Sequence, residues 1–353
     1  MGKNLMMDKN YGPTNFITGL RGIAILFVLL THALGDGSSE LGSYLKTLVL
    51  NGRFGVQMFF VISGFTIFYQ FYSAGYKFKK FMLVRLLRLG LPYYPIIILL
   101  WTLYHYGILQ PIYWANHTGA DVDLVNVFMH FTYLGMLSEK YINTIIGVEW
   151  TLYVEVFYYL FIGSIISFFL MSSQKKWFVM ILTFVFFISL LSPLILKLLG
   201  VAHLTIEWSP IKYGYLFILG GLGYYVREKY SSSTQLSNAS CIFLFLCIFL
   251  MPFINSNLIK EVSFGFSTFL VICFSINGGL IKFMLENKVI IFLGNISFSL
   301  YLLHMPVISF FKSVFDSTMM IFSLSVIVSL LLSKIYYNLV ERTLYTKLKR
   351  KII

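Results

Sequence analysis

The chain has 353 residues, of which 58% are hydrophobic and only 12% are charged, and its formal net charge is +13 at pH 7. Soluble domains carry charge on about a quarter of their residues, so this composition excludes an ordinary soluble protein and predicts an all-α polytopic membrane protein. The lysines and arginines lie in small clusters between apolar runs and form no basic, aromatic-interleaved stripe. We therefore expect no nucleic-acid partner.

Several apolar segments are long enough to cross a bilayer, for which a helix needs about 20 residues. They are 16–34, 54–73, 90–108, 148–171, 177–196, 211–226, 239–255, 262–281, 289–311 and 318–338. A shorter apolar stretch, 124–137, favours an interfacial or re-entrant helix. We expect a polytopic fold of about ten transmembrane helices, with residues 1–353 forming one transmembrane domain and no fused soluble domain.

In this predicted topology, lysine and arginine are concentrated in the loops that lie on the same side of the membrane as the N-terminus. Cytoplasmic loops are enriched in these residues, so the N- and C-termini are both expected to be cytoplasmic. The apolar outer surface of such a bundle contacts membrane lipids. We expect a multi-pass protein of the inner (cytoplasmic) membrane.

The first predicted helix contains two ionisable residues in the stretch GLRGIAILFVLLTH, residues 19–32. The spacing between Arg21 and His32 is close to three full turns, so the two side chains share one helix face and lie about 16 Å apart along the axis. Ionisable residues inside a span are functional candidates. The alternative is a snorkelling Arg21 that anchors the topology and a His32 wetted at the outer interface.

The third predicted helix is preceded by KFKKFMLVRLLR, residues 77–88. Arg85 and Arg88 are about one turn apart, so on a helix they form a fork that suits a phosphate group. An ordinary positive-inside loop is the alternative. The stretch GLPYYP follows directly and predicts that the helix breaks after these arginines.

Two later helices carry polar residues in apolar surroundings. Glu155 in GVEWTLYVEVFYYL must be protonated or paired there. It is a candidate proton acceptor or orienting partner for a histidine, with a purely structural buried acid as the alternative. Tyr301 and His304 in SFSLYLLHMPV share one helix face. A hydrogen bond that holds helices together is the alternative role for His304.

The ionisable residues segregate by depth in the predicted helices. The three arginines lie toward the cytoplasm, whereas His32, Glu155 and His304 lie in the outer half. This arrangement suits an anionic, phosphate-bearing donor from the cytoplasm and an acceptor on the other face. The three cysteines and six histidines show no metal-ligand spacing, so no metal is expected.

Several motifs occur in one order along almost the whole chain. They are Arg21 to His32 (Arg, ten residues, His), GVQMFFVISGF (55–65), RLLR (85–88), EWTLYVE (149–155), SFSLYLLHMPV (297–307) and VERTLY (340–345). With these motifs the chain resembles the acyltransferase-3 membrane proteins, bacterial O-acyltransferases that act on surface polysaccharides and other hydroxyl acceptors. It departs from the family pattern at Gln57 (commonly acidic), Thr151 (usually Ser) and Phe298 (usually Tyr), and VERTLY lacks the family's proline.

The resemblance implies ten core spans and a cytoplasmic acyl-CoA donor, usually acetyl-CoA. On that basis Arg21, Arg85 and Arg88 are expected to bind the phosphates of the donor. His32 is expected to act as a general base, or as a nucleophile that carries the acyl group briefly. Glu155 is expected to orient His32 or to stabilise its protonated form.

The resemblance also implies the acceptor side of the reaction. Trp150, Tyr301 and His304 are expected to line that side or to be structural. The expected reaction is O-acetylation of a sugar hydroxyl in a surface polysaccharide, such as O-antigen or capsule, or in a lipid-linked glycan. Transfer of a succinyl or longer acyl group is one alternative. The other is a transporter that exports a polysaccharide or lipid-linked precursor without acyl chemistry, because buried ionisable residues also mark transport paths.

Overall fold

The structure, a computed structural model, describes residues 15–35, 42–171, 175–276 and 278–352. Within these ranges it contains helices and no β-strand. We number the long helices in chain order. They are α1 (Asn15–Leu34), α2 (Gly55–Tyr72), α3 (Phe78–His105), α4 (Trp150–Leu170), α5 (Lys175–Leu198), α6 (Gly214–Lys229), α7 (Thr234–Leu250), α8 (Asn257–Phe274), α9 (Lys288–Val314) and α10 (Thr318–Tyr336). Residues 1–14, which belong to the predicted domain, lie outside the described residues.

Each predicted apolar segment corresponds to one of these helices, so the prediction of an all-α polytopic membrane protein is confirmed. Nine helical segments within the described ranges are long and apolar enough to cross a membrane. Helix α6 has 16 residues and is shorter than these. The stretch 124–137 forms only an eight-residue helix, Leu124–Phe131, and a short 3₁₀ turn, as expected for a segment that does not span.

The predicted helix break at GLPYYP is wrong. Helix α3 runs without interruption through Pro92 and Pro95. Proline is tolerated inside a membrane helix where neighbouring groups satisfy the disturbed backbone. At this point the hydroxyl of Tyr336, on α10, donates a hydrogen bond to the Pro92 carbonyl oxygen at 2.7 Å and so ties α10 to α3. The paired arginines therefore lie inside one continuous helix.

Glycines allow α1 and α9 to approach closely. A side chain at Gly22 would collide with the Ile290 carbonyl oxygen, and one at Gly294 would collide with the Thr18 carbonyl oxygen. Small residues at helix contacts are typical of membrane proteins, where close backbone packing drives association. The two helices run side by side in the same direction, and this register positions the histidines farther along both of them.

Helix α2 lies in the centre of the bundle, whereas α5 lies at its edge. Of the spanning stretch that contains α2, 78% is buried, against 11% for α5. Close contact between Gly64 of α2 and the Phe217 backbone of α6 fixes this central position. The site described below is therefore built around the central helices.

Helix α10 continues into a nine-residue π-helix, Tyr337–Tyr345. π-Helical turns are rare and are frequent at functional sites. Within it, a Glu341 carboxylate oxygen accepts hydrogen bonds from the Ser299 backbone N–H, at 3.0 Å, and from the Ser299 hydroxyl. These bonds tie the π-helix to the middle of α9.

Candidate active site

A cavity of about 320 Å³ lies among α1, α2, α3, α4 and α9. Its volume is at the lower end of the range of about 300–1,000 Å³ found for small-molecule sites. Arg21 of α1 and the pair Arg85 and Arg88 of α3 line it, together with Glu155 of α4. The three-residue spacing thus brings Arg85 and Arg88 to one cavity, as the sequence predicted.

Arg85 is the most deeply buried of the three arginines, with 3% of its surface exposed. Its Nε donates a hydrogen bond to Gln70 Oε1 at 2.8 Å, and its guanidinium carbon lies 5.1 Å from the centre of the Tyr159 ring. Its buried Nη2 has no hydrogen-bond partner among the described residues. A buried guanidinium that is hydrogen-bonded only to a neutral amide keeps a charge that a ligand anion can neutralise.

Arg21 lies within electrostatic range of Arg88 and of two carboxylates, those of Glu155 and Glu341. The cations in this region, the three arginines and Lys349, outnumber the two carboxylates. Sequence reasoning missed Glu341 as a site residue. The residue lies in the VERTLY motif, but nothing local to that motif indicates that it comes close to the first helix.

Glu155 lies with the arginines rather than with the histidines. Its Oε2 accepts a hydrogen bond from the Tyr159 hydroxyl at 2.9 Å, and the Tyr159 hydroxyl accepts one from Ser63 Oγ at 3.2 Å. The expectation that Glu155 orients His32 is therefore wrong, because the face of α4 that carries Glu155 is turned toward the cavity. Participation of Glu155 in catalysis stays a prediction.

His32 and His304 form a pair between α1 and α9. Nδ1 of His32 lies 3.0 Å from Nε2 of His304, and the ring centroids are 5.0 Å apart. His304 is fully buried, whereas His32 is partly buried and belongs to the last turn of α1. Neither histidine lines the cavity. The structure thus brings together two histidines to which the sequence analysis assigned different roles.

Tyr301 connects the cavity to the histidine pair. It lines the cavity, and its ring centroid lies 5.7 Å from that of His304. Thr151 Oγ1 donates a hydrogen bond to the Tyr301 hydroxyl at 2.9 Å. The Tyr301 hydroxyl in turn donates one to the Val148 carbonyl oxygen at 3.2 Å. These contacts hold the Tyr301 ring between the cationic cavity and the histidines.

Trp150 lies outside the cavity lining, at the first turn of α4. Its ring packs against Tyr213 and Phe60, with centroid distances of 5.3 Å and 6.0 Å. Its expected place on the acceptor side stays a prediction. Among the described residues, no group of three or more His, Cys, Asp or Glu side chains is arranged to hold a metal ion.

Fold and site together define a polytopic all-α membrane protein with an arginine-lined cavity next to a histidine pair. The acyltransferase-3 family model, described as an acyltransferase domain, matches residues 14–337 of the chain. The chain belongs to this family, as its motifs predicted, and is a membrane acyltransferase. No curated protein and no solved structure matches the chain.

Proposed function

We propose that the protein is an O-acetyltransferase of the inner membrane. It moves an acetyl group from cytoplasmic acetyl-CoA to a sugar hydroxyl of a surface polysaccharide, such as O-antigen or capsule, or of a lipid-linked glycan. The observation that carries this proposal is the excess of arginine in the cavity, together with the buried Nη2 of Arg85, which has no hydrogen-bond partner within the part of the chain that the structure describes. The donor is a polyanion, and its thioester supplies an activated acyl group.

The arginines bind the donor. Guanidinium groups hold phosphate oxygens with two parallel hydrogen bonds, which gives geometric specificity as well as affinity. Arg21 and Arg88 are partly exposed and Arg85 is buried, so the cationic surface extends from an accessible position into the interior. This row of positive charges attracts an anionic ligand from the accessible arginines toward the buried one and holds its reactive end close to Tyr301.

His32 acts on the acceptor. As the acceptor oxygen bonds to the acyl carbon, His32 takes the hydroxyl proton; the carbon–sulfur bond breaks, and the thiolate that leaves receives a proton. A histidine that carries the acyl group itself would use the same nitrogen lone pair for its attack. Both routes need His32 to be partly accessible, which it is.

The proposed acyl group is acetyl, the usual donor group that the family resemblance implies. Competition between acetyl-CoA, succinyl-CoA and palmitoyl-CoA for the purified protein tests this choice. We expect acetyl-CoA to be the preferred donor. A preference for succinyl-CoA or palmitoyl-CoA would show that the transferred group is not acetyl.

The first test is mass spectrometry of surface glycans from cells with the gene, without it and with His32→Ala. We expect acetyl increments only with the intact protein, because removal of a general base lowers the rate about 10²- to 10⁴-fold. His105→Ala is a matched control, since His105 is an exposed histidine at the end of α3. Acetylation at the wild-type level in His32→Ala would refute the assignment of His32. Glycans that are identical with and without the gene would refute the polysaccharide acceptor.

A further inference from the structure

The hydrogen bonds of His304 show which of its ring nitrogens carries a proton. Nδ1 of His304 lies 2.8 Å from the Tyr301 carbonyl oxygen and 3.1 Å from that of Leu300. A carbonyl oxygen only accepts, so Nδ1 must be the protonated nitrogen. In a neutral imidazole the other nitrogen, Nε2, then presents a lone pair.

The surroundings of the pair favour two neutral rings. His304 has no exposed surface, and its hydrogen bonds with other residues are to His32 and to backbone carbonyls. The charged side chain that acts on His32 is Lys312, a cation. Glu149 and Glu155 act on the neighbouring Tyr301 but form no hydrogen bond with either histidine. A buried imidazolium without a carboxylate partner costs too much to be the resting state.

The tautomer of His32 follows from that of its partner. Because Nε2 of His304 is an acceptor, Nδ1 of His32, 3.0 Å away, must be the donor. A neutral imidazole carries only one N–H, so the lone pair of His32 is on Nε2.

We propose that His304 is the positioning residue of His32: it accepts the His32 Nδ1–H and so keeps the Nε2 lone pair free for the acceptor hydroxyl or the acyl group. This inference rests on the proposed role of His32 in transfer. The orienting partner is a neutral acceptor rather than a carboxylate, in contrast to the aspartate of a Ser-His-Asp triad. No ion pair forms when His32 takes a proton, and the proton is therefore passed on readily to the leaving thiolate.

Two variants of His304 separate positioning from packing. In His304→Gln the side-chain amide oxygen can still accept the His32 Nδ1–H, whereas His304→Leu fills similar space without an acceptor. We expect His304→Leu to lower kcat by a factor within the range of about 10²–10⁴ that a general base contributes, with unchanged KM for acetyl-CoA. His304→Gln should restore at least a tenth of the lost activity. Equal loss of kcat in both variants would overturn the proposal.

A double-mutant cycle with His32→Ala tests whether the two histidines act as one unit. Residues that act together show strongly non-additive losses, so His304→Leu should cost nothing further once His32 is alanine. His105→Leu is the control: His105 is an exposed histidine at the end of α3 and does not line the cavity. Its effect should be additive with that of His32→Ala. Additive losses for His304→Leu would overturn the proposal but leave the role of His32 intact.

Nitrogen NMR of ¹⁵N-histidine-labelled protein reads the tautomer directly and does not depend on activity. The His32 signals are assigned by comparison with His32→Ala. We expect a protonated Nδ1 and an unprotonated Nε2 in the intact protein, and the appearance of Nε2–H in His304→Leu. A protonated Nε2 in the intact protein would refute the inference. Wild-type transfer by His32→Ala would instead refute the proposed role of His32 in transfer, so the two failures are distinguishable.

Discussion

Two groups of buried charges in this protein differ in how the charges are paired. In the Lys212 cluster, formed by Lys212, Glu207 and Glu261, the ammonium nitrogen lies 2.8 Å from an oxygen of each carboxylate. Lys212 and Arg85 are equally buried, each with 3% of its surface exposed. Arg85 is nevertheless hydrogen-bonded to the neutral amide of Gln70.

The two groups differ in whether their charges are neutralised within the chain. Lys212 lies in the 3₁₀ turn Pro210–Tyr213 before α6, and Glu261 belongs to α8. Their ion pair therefore links this turn to α8 and is satisfied from within the chain. The arginine group has more cations than carboxylates and lines a cavity, so its remaining charge is available to a ligand. Burial of a charge alone does not indicate a binding site; a buried charge with no hydrogen-bonded carboxylate beside an open volume is the better candidate.

The largest effect is expected from Lys212→Met. The substitution leaves Glu261 buried without its cation, and breaking a buried pair in this way costs about 3–5 kcal/mol of folding free energy. The unfolding temperature in detergent should fall, while the affinity of the folded fraction for CoA stays unchanged. Adding Glu261→Leu should recover most of the loss, because a buried ion pair can be replaced by apolar packing. An unchanged unfolding temperature in Lys212→Met would remove the distinction between the two groups.

A smaller effect, and on binding rather than folding, is expected from Arg85→Gln. Loss of a charge-assisted hydrogen bond costs about 1.5–3 kcal/mol, which corresponds to roughly 10- to 150-fold weaker CoA binding. Stability should be maintained, because the substitution removes a buried charge whose hydrogen bond is to the neutral Gln70 and not to a carboxylate. Calorimetric titration with CoA and thermal unfolding measure the two quantities separately.

Arg85→Lys is the control for charge alone. It keeps the cation but loses the planar fork, so its affinity for CoA should lie between those of the wild type and Arg85→Gln. An Arg85→Gln protein that binds CoA normally but unfolds early would make Arg85 structural, as Lys212 is.

Glu341→Gln should change CoA affinity by less than about 1.4 kcal/mol, or tenfold, and in the direction of tighter binding. The amide oxygen can still accept from Ser299, but the negative charge near Arg21 is removed. The dissociation constant of CoA, measured at low and high salt, should show the difference mainly at low salt because salt screens the charge. Weaker binding would mean that Glu341 acts by holding the π-helix.

The smallest effect is expected at the edge of the bundle. Leu191 of α5 is 48% exposed, and substitutions at exposed positions away from special features usually change stability by less than about 0.5 kcal/mol. Leu191→Ala should therefore leave both the unfolding temperature and acyl transfer unchanged. A large loss would show that this face of α5 is covered by a partner.

Much of the architecture was predictable because it depends on local patterns. The length of each apolar run indicated a membrane helix, and the helical period placed Arg85 and Arg88 on one face. The prediction at GLPYYP failed because α3 continues through both prolines, and a proline inside a membrane helix is accommodated by its tertiary surroundings. The length and type of a secondary-structure element follow from the local sequence, whereas whether a helix continues through a proline depends on the tertiary structure.

The sequence by itself determined the family and the candidate residues: three arginines, Glu155 and the histidines in otherwise apolar helices. Only the tertiary structure decided their partners. Glu155 turned toward the arginines, Glu341 joined them from the far end of the chain, and His304 paired with His32 across α1 and α9. The physical reason is that helical periodicity fixes the face on which a side chain lies, while the rotation and register of packed helices, set here by close contacts such as those at Gly22 and Gly294, decide what that face meets.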